Sequence, residues 1–250
     1  MIYDNPVIKE SGGYVVHIEF CTGINLLNCN ICVQKLWQAL MELSKSGIDG
    51  GIEEIVPAYS SLTIFYNPEK TCAEKLRKTV LQQWKKLKDK KLPLESSLWM
   101  IPVAYGGTFG PDLEEILAAT KLSYESFIAV HTSKEYLCYM LGFTPGFVYL
   151  GDVDDRIALP RLKSPKSRIA PGSVGIAGKQ TGIYGVESPG GWRIIGKTPI
   201  KMFDPRRSPP IAIKPGDKVR FYPVTVEQYK QMEGVYLTDL STSQGEQNEH

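Results

Sequence analysis

Eleven of the chain's 23 glycines fall between Gly142 and Gly196, with many prolines among them. Each glycine costs a helix interior about 1 kcal/mol relative to alanine, so this stretch cannot hold a long helix. Short apolar runs separate the glycines: Phe147–Leu150, Val174–Ala177 and Trp192–Ile195. Three more follow at Ile200–Phe203, Ile211–Ile213 and Val219–Tyr222. Many short strands joined by frequent turns predict a β-barrel or sandwich for this half of the chain.

The first 92 residues read differently. Tyr14, Val16, Ile18 and Phe20 alternate with Val15, His17 and Glu19, which is strand periodicity. Val33, Leu36, Trp37, Leu40 and Leu43 then recur at spacings of three and four, predicting a helix from about Asn30 to Ser46 that Gly47 ends. Strands are expected at Ile52–Pro57 and Leu62–Tyr66, and a second helix from about Ala73 to Lys88. With a last strand near Leu98–Ala104, this order is that of a ferredoxin-like α/β sandwich. Leu92-Pro93-Leu94 reads as a connector. Shorter helical patches are expected at Asp112–Ala119 and about Tyr124–Met140. The fold class is therefore α+β, with a small α/β domain over 1–92, a β domain over 93–235 and a polar, disordered tail over 236–250.

Charge and composition exclude several functions. A net charge of +2 does not suggest a nucleic-acid partner. No stretch of about 18 apolar residues exists to span a membrane, and the charged first ten residues do not form a signal peptide, so a cytoplasmic protein is expected. Five cysteines, an odd number spread over 250 residues, predict reduced thiols rather than a disulfide scaffold. Cys29 and Cys32 form a C-x-x-C with no second ligand pair, so no metal site is expected. Lys85 to Lys91 holds five lysines. They read as an anion-binding patch or, the favoured reading, as a solvated helix end whose charges complement the helix dipole.

Candidate chemistry concentrates in the glycine-rich half. Gly172 to Lys179 invites comparison with a phosphate-binding loop, but its glycine spacing is one residue too long and Gln180 stands where serine or threonine should follow the lysine. His131 is the histidine best placed to act as acid or base, beside its ordinary reading as a hydrogen-bonded structural residue. Asp112 opens a helix after Gly110-Pro111, where free backbone N–H groups also suit an anion. Ser188-Pro189-Gly190-Gly191-Trp192-Arg193 joins a tight turn, a large aromatic and a cation, with Gln180, Thr181 and Tyr184 just before it. Such a set suits a pocket for a small amide-bearing molecule. Gly191→Val is expected to abolish activity by blocking a close backbone approach or a special turn.

Five blocks carry a resemblance in order and spacing. They are Pro102–Gly107 with Gly110–Leu113; His131-Thr132-Ser133; Gly142–Gly151; Gly172–Gly178 with Gln180–Tyr184; and Ser188–Trp192 with Phe203-Asp204-Pro205. Together they resemble the family of the small, B-type component of bacterial 5-oxoprolinase (PxpB). The same family is called allophanate hydrolase subunit 1 and includes the sporulation kinase inhibitor KipI. The resemblance implies a cyclophilin-like β-barrel and a larger partner subunit of related fold (PxpC). It also implies a third, PxpA-like protein and ATP with magnesium at the level of the complex. The reaction it implies is opening of 5-oxoproline to glutamate, in which phosphorylation of the lactam carbonyl oxygen turns a poor electrophile into a good one. His131, Gln180 and Tyr184 are the catalytic candidates under this reading. Tyr105, Asp112, Arg161, Ser173, Thr181, Ser188, Gly190, Gly191, Trp192 and Arg193 are the substrate-binding candidates. Alternatives implied by the same family are inhibition of a histidine kinase and action on an allophanate- or urea-derived substrate. Lys166 departs from the family pattern, in which arginine is frequent.

Overall fold

A computed structural model of the chain describes residues 2–22, 26–46, 50–90 and 96–239. It divides into two compact units, Met1–Glu95 and Ser96–His250. Gly47 and Leu92-Pro93-Leu94, read above as a helix stop and a connector, lie outside the described residues.

The first unit runs β1 (Ile2–Ser11), β2 (Val15–Cys21), α1 (Leu26–Lys45), β3 (Ile52–Pro57), β4 (Ser61–Tyr66) and α2 (Ala73–Leu87). Its sheet has the order β1-β2-β4-β3, antiparallel throughout. Val16, Ile18, Phe20, Leu62 and Ile64 alternate inward from β2 and β4. They meet Val33, Leu36 and Leu40 of α1 and Leu76, Val80 and Trp84 of α2 in one core. The expected sandwich is present, with one correction. Leu98–Ala104 does not complete it; that edge, beside β2, is filled by β1 from the N-terminal side. Asp4, Asn5 and Pro6 interrupt the alternation of β1, and its register shifts between Ile2 and Val7. Trp84 Nε1 donates to the Asp4 carbonyl at 3.0 Å, fastening α2 to this irregular strand.

The expectation of reduced thiols also needs correction. Cys21 at the end of β2 and Cys29 in α1 are joined by a disulfide, with their Cα atoms 6.0 Å apart. Cys32, Cys72 and Cys138 are free. Cys29 thus pairs across to β2 and not within its C-x-x-C.

The second unit opens with β5 (Leu98–Tyr105), α3 (Leu113–Thr120), α4 (Tyr124–Thr132), β6 (Tyr136–Leu141) and β7 (Val148–Gly151). It continues with β8 (Lys166–Ile169), β9 (Ser173–Ala177), β10 (Gln180–Ile183), β11 (Ser188–Gly190), β12 (Arg193–Lys197), β13 (Lys218–Pro223) and α5 (Val226–Met232). Seven strands close a barrel in the order β10-β7-β6-β13-β5-β12-β9, and β8 pairs with β11 as a separate two-stranded ladder. Only β5 and β13 run parallel among the described barrel pairs. Ile101, Val103, Val148, Leu150, Ile176, Val219 and Phe221 are buried in its core.

Three expectations for this unit change. The helix predicted over Tyr124–Met140 stops at Thr132. The Thr132 and Ser133 hydroxyls donate back to the carbonyls of Ile128 and Val130, each at 2.8–2.9 Å, which competes with helix continuation. Tyr136 to Leu141, rich in aromatic and β-favouring side chains, then forms β6. The runs Ile200–Phe203 and Ile211–Ile213 are not ladder strands, although Ile200 and Ile213 are buried. Tyr236 and Leu237 are buried, so the first residues assigned to the tail belong to the folded unit.

The parallel β5–β13 pair depends on a buried carboxylate. Asp217 accepts from Ser97 N and Trp99 Nε1, both at 2.9 Å, and from Lys214 N at 3.0 Å. Asp217→Ala should lower stability by about 3 kcal/mol, because charge-assisted bonds are lost and donors are left unpaired. Urea denaturation measures this, and a loss under about 1 kcal/mol would show that the three bonds contribute little.

Candidate functional site

A cleft of about 320 Å³ opens in the second unit. Its aromatic lining comes from Tyr149 on β7, Tyr184 just past β10, and Trp192 between β11 and β12. Phe147 stands behind them. Its ring lies edge-on to Tyr184 at 4.7 Å and to Trp192 at 5.3 Å between centroids. This cluster, with Ile169 and Ile194, is a second small core beside the main barrel core. Pro189, Gly190 and Gly191 bring backbone to the cleft, and Phe143 borders it with 60% of its surface exposed. Arg161 is the one charged side chain of the lining, and no ion pair engages it among the described residues.

The two glycines of the turn differ. A Cβ on Gly190 would press on the Tyr184 hydroxyl and reach within 2.8 Å of Ile169 Cδ1. A Cβ on Gly191 meets nothing closer than the Leu162 carbonyl at 3.7 Å. Glycine is thus required at 190, where the Tyr184 hydroxyl touches backbone, and the special role expected for Gly191 moves one residue back. A side chain at 191 would occupy cleft space without breaking the turn.

Burial pushes the Tyr184 phenol up to about 12, against a smaller opposing effect from its hydrogen bond with the Trp192 backbone. Tyr184 therefore stays protonated near neutral pH. Tyr149 is also raised by burial, with the nearby Arg161 charge acting in the other direction.

Asp112 and Arg193 support this cleft without lining it. Lys166 Nζ lies 2.6 Å from both Asp112 oxygens, and Asp112 Oδ2 accepts from Ile194 N at 2.7 Å. Lys166 faces Gly190 across the β8–β11 ladder. Arg193 donates from Nε to the Pro160 carbonyl at 3.0 Å and pairs with Glu115 at 2.8 Å, next to the segment that carries Arg161.

His131, Tyr105 and Thr181 form a separate array inside the barrel. His131 is fully buried. Thr181 Oγ1 donates to the Gly175 carbonyl at 3.0 Å, so it accepts from His131 Nε2–H at 3.0 Å. Nδ1 is then the acceptor for the Tyr105 hydroxyl at 2.7 Å. The His131 carbonyl accepts from Tyr136 Oη at 2.7 Å, and the ring stacks on Phe221 at 4.7 Å. Desolvation lowers the imidazole to about 3. Neutral, with both ring nitrogens engaged and away from the cleft, His131 is placed as a structural residue and not as an acid or base.

Residues 7–213 match the family described as carboxyltransferase domain, subdomain C and D. The chain is 42% identical over 189 residues to the B-type subunit of 5-oxoprolinase from Bacillus subtilis (strain 168), covering 72% of this chain and 78% of that protein. It is 41% identical over 173 residues to the protein of the same name from Escherichia coli O157:H7, covering 69% and 78%. The chain belongs to the family of 5-oxoprolinase B-type subunits. The crystal structure of TTHA0988 superimposes with a TM-score of 0.73 at 33% identity, covering 85% of this chain but 40% of that longer one.

Of the candidate site residues, Tyr184, Gly190, Gly191 and Trp192 from the family blocks and Arg161 from outside them converge on the cleft. Ser188 is buried in β11, its hydroxyl without a partner among the described residues. Ser173 is buried at the start of β9 opposite Lys197, and Gln180 opens β10 opposite Gly151; neither lines the cleft. Gly172 to Lys179 is a barrel strand and its turn, with Lys179 paired to Asp155 at 2.8 Å, which is no phosphate loop. Phe143 and Tyr149 escaped the sequence reading, although both lie in the Gly142–Gly151 block. The cleft lining holds no carboxylate, imidazole or thiol, and no metal-binding group of three such residues occurs among the described residues. The cleft residues therefore do not fit a magnesium–nucleotide.

Two outcomes follow for purified protein. Gly190→Ala should lower the melting temperature by several degrees, as expected for about 1–3 kcal/mol of overpacking, while Gly191→Ala leaves it nearly unchanged. Equal effects in thermal melts would show that the Tyr184 contact is not restrictive. His131 binds a proton in the unfolded chain below about 6.5 but in the folded chain only near 3. Its contribution to stability is thus present above 6.5 and is lost as pH falls toward 3, by at most about 1.4 kcal/mol per pH unit. Urea titrations across that range should show a shallower slope in His131→Gln, and a folded-state imidazole signal titrating near 6.5 that is absent from His131→Gln would contradict the buried array.

Proposed function

We propose that this chain is the B-type subunit of an ATP-dependent 5-oxoprolinase and that its cleft binds 5-oxoproline. It acts in the cytoplasm with a larger PxpC-like subunit and a PxpA-like protein. The observation that supports this reading best is the chemistry of the lining: aromatic walls, one unpaired cation and no anion. 5-Oxoproline is a flat five-membered lactam bearing one carboxylate. Arg161 suits the carboxylate, since a guanidinium can hold both oxygens at once. Trp192 and Tyr149 offer faces for the ring. Tyr184 has a proton to donate, and a donor held in an apolar wall stabilises charge that develops on a carbonyl oxygen.

Because the cleft residues do not fit a magnesium–nucleotide, ATP and its metal belong elsewhere in the complex. This chain's part is to bind and orient the lactam and to place a hydrogen-bond donor on it. The chain alone should therefore show no turnover.

Phosphate release tests this. ATP hydrolysis should appear only when this chain, its partner subunits and 5-oxoproline are mixed. Arg161→Gln should raise KM for 5-oxoproline about 10- to 100-fold, the loss expected for a charged hydrogen-bonded contact. An unchanged KM would remove Arg161 from the site. Lowered autophosphorylation of a cognate histidine kinase, with no partner-dependent ATP turnover, would favour the regulatory reading instead.

A further inference from the structure

A groove of about 530 Å³ lies within the first unit. β1 contributes Asn5, Pro6 and Ile8 to it. The other side comes from α2 and its cap residue: Arg77, Leu81, Lys85 and Lys88. Spacings of four, four and three place these four side chains on one stripe of the helix. Arg77, Lys85 and Lys88 are exposed, and no acidic side chain lines the groove.

The helix-end reading covers only part of this. Cations in the last turn complement the dipole, which accounts for Lys85 and Lys88. Arg77 is the fifth residue of α2, where the dipole favours no cation. Pairing does not account for the stripe either. Lys78, on the same helix, bonds Glu74 at 2.8 Å, and Lys9 of β1 bonds Glu19 at 2.8 Å. Arg77, Lys85 and Lys88 have no ion-pair partner among the described residues. The helix thus neutralises a neighbouring cation and leaves these three facing the groove.

Geometry narrows the ligand. Eleven helical steps separate Arg77 from Lys88, about 16 Å at 1.5 Å per residue. The cations do not converge on one point, as a pocket for a single phosphate or carboxylate requires. The span equals about five residues of extended chain at roughly 3.3 Å each. Leu81, Ile8 and Pro6 place apolar surface between the charges. A complementary ligand is extended and mixes carboxylates with apolar groups.

We propose that this groove docks an acidic, extended segment of a partner protein, its carboxylates pairing with Arg77, Lys85 and Lys88 and its apolar side chains covering Leu81 and Ile8. The site is separate from the cleft and does not depend on the substrate proposed for it. Charges at such a rim act through long-range attraction, so binding weakens steeply with salt.

The full chain should be titrated with a fluorescein-labelled peptide alternating glutamate and leucine, at low and at high salt. A lysine–leucine peptide, inorganic triphosphate and a single-stranded oligonucleotide serve as the other arms. The acidic peptide should bind in a salt-sensitive manner. The charge reversal R77E/K85E/K88E should weaken it about tenfold or more, with R77Q/K85Q/K88Q intermediate and circular dichroism unchanged. Absence of binding, or equal binding by the reversed variant, overturns the proposal. Triphosphate or oligonucleotide binding as tight as the peptide's also overturns it, because the groove would then belong to a phosphate-bearing ligand.

Discussion

The shape of the cleft depends on the carboxylate of Asp112. The β8–β11 ladder that carries Gly190 has only two strands, and a two-stranded ribbon is marginal in water unless it is packed against something. Asp112 ties it to the barrel. One oxygen accepts from the Ile194 backbone in β12, and both lie 2.6 Å from Lys166 in β8. A carboxylate left mostly buried without these partners would be costly, so the contact fixes the ladder as firmly as the ladder satisfies the charge. A single ammonium spans both oxygens here, so the planar fork of an arginine is not needed for this link.

The glycine density that dominates the sequence serves the same frame. Gly190 gives up its side chain so that Tyr184 can rest against backbone. Gly182 does likewise on the other side of the cluster, where a Cβ would come within 2.8 Å of the Val148 carbonyl and 3.0 Å of the Trp192 ring. Large aromatics thus sit directly on main chain.

Much of this was legible in the sequence, and the failures have physical causes. Glycine frequency predicted a β domain, and the Ser188–Arg193 block with Tyr184 and Arg161 pointed to the cleft. β1 was missed because Asp4, Asn5 and Pro6 break the alternation that marks a strand, and its fastening to Trp84 is visible only in space. β6 was absorbed into a helix because apolar residues continue past Thr132 while the hydroxyl bonds that stop the helix carry no periodic signal. His131 looked reactive because sequence does not reveal whether an imidazole faces solvent or a barrel interior. The Cys21–Cys29 link joins a strand to a helix across eight residues, a proximity that composition cannot report.

The division of labour in the proposed enzyme can be argued from the cleft's protonation chemistry. Opening a lactam requires proton transfers, and a useful acid or base has a pKa near the working pH. Burial holds Tyr184 of the cleft wall up to about 12 and raises Tyr149 as well, and the histidine within the family's blocks, His131, is held neutral inside the barrel. Arg161 is a permanent cation. Such a set binds, orients and stabilises negative charge without exchanging protons near neutrality. A wall of this kind leaves proton transfer to groups outside this cleft. That arrangement agrees with relatives named as subunits and with a structural neighbour in which this fold fills 40% of a longer chain.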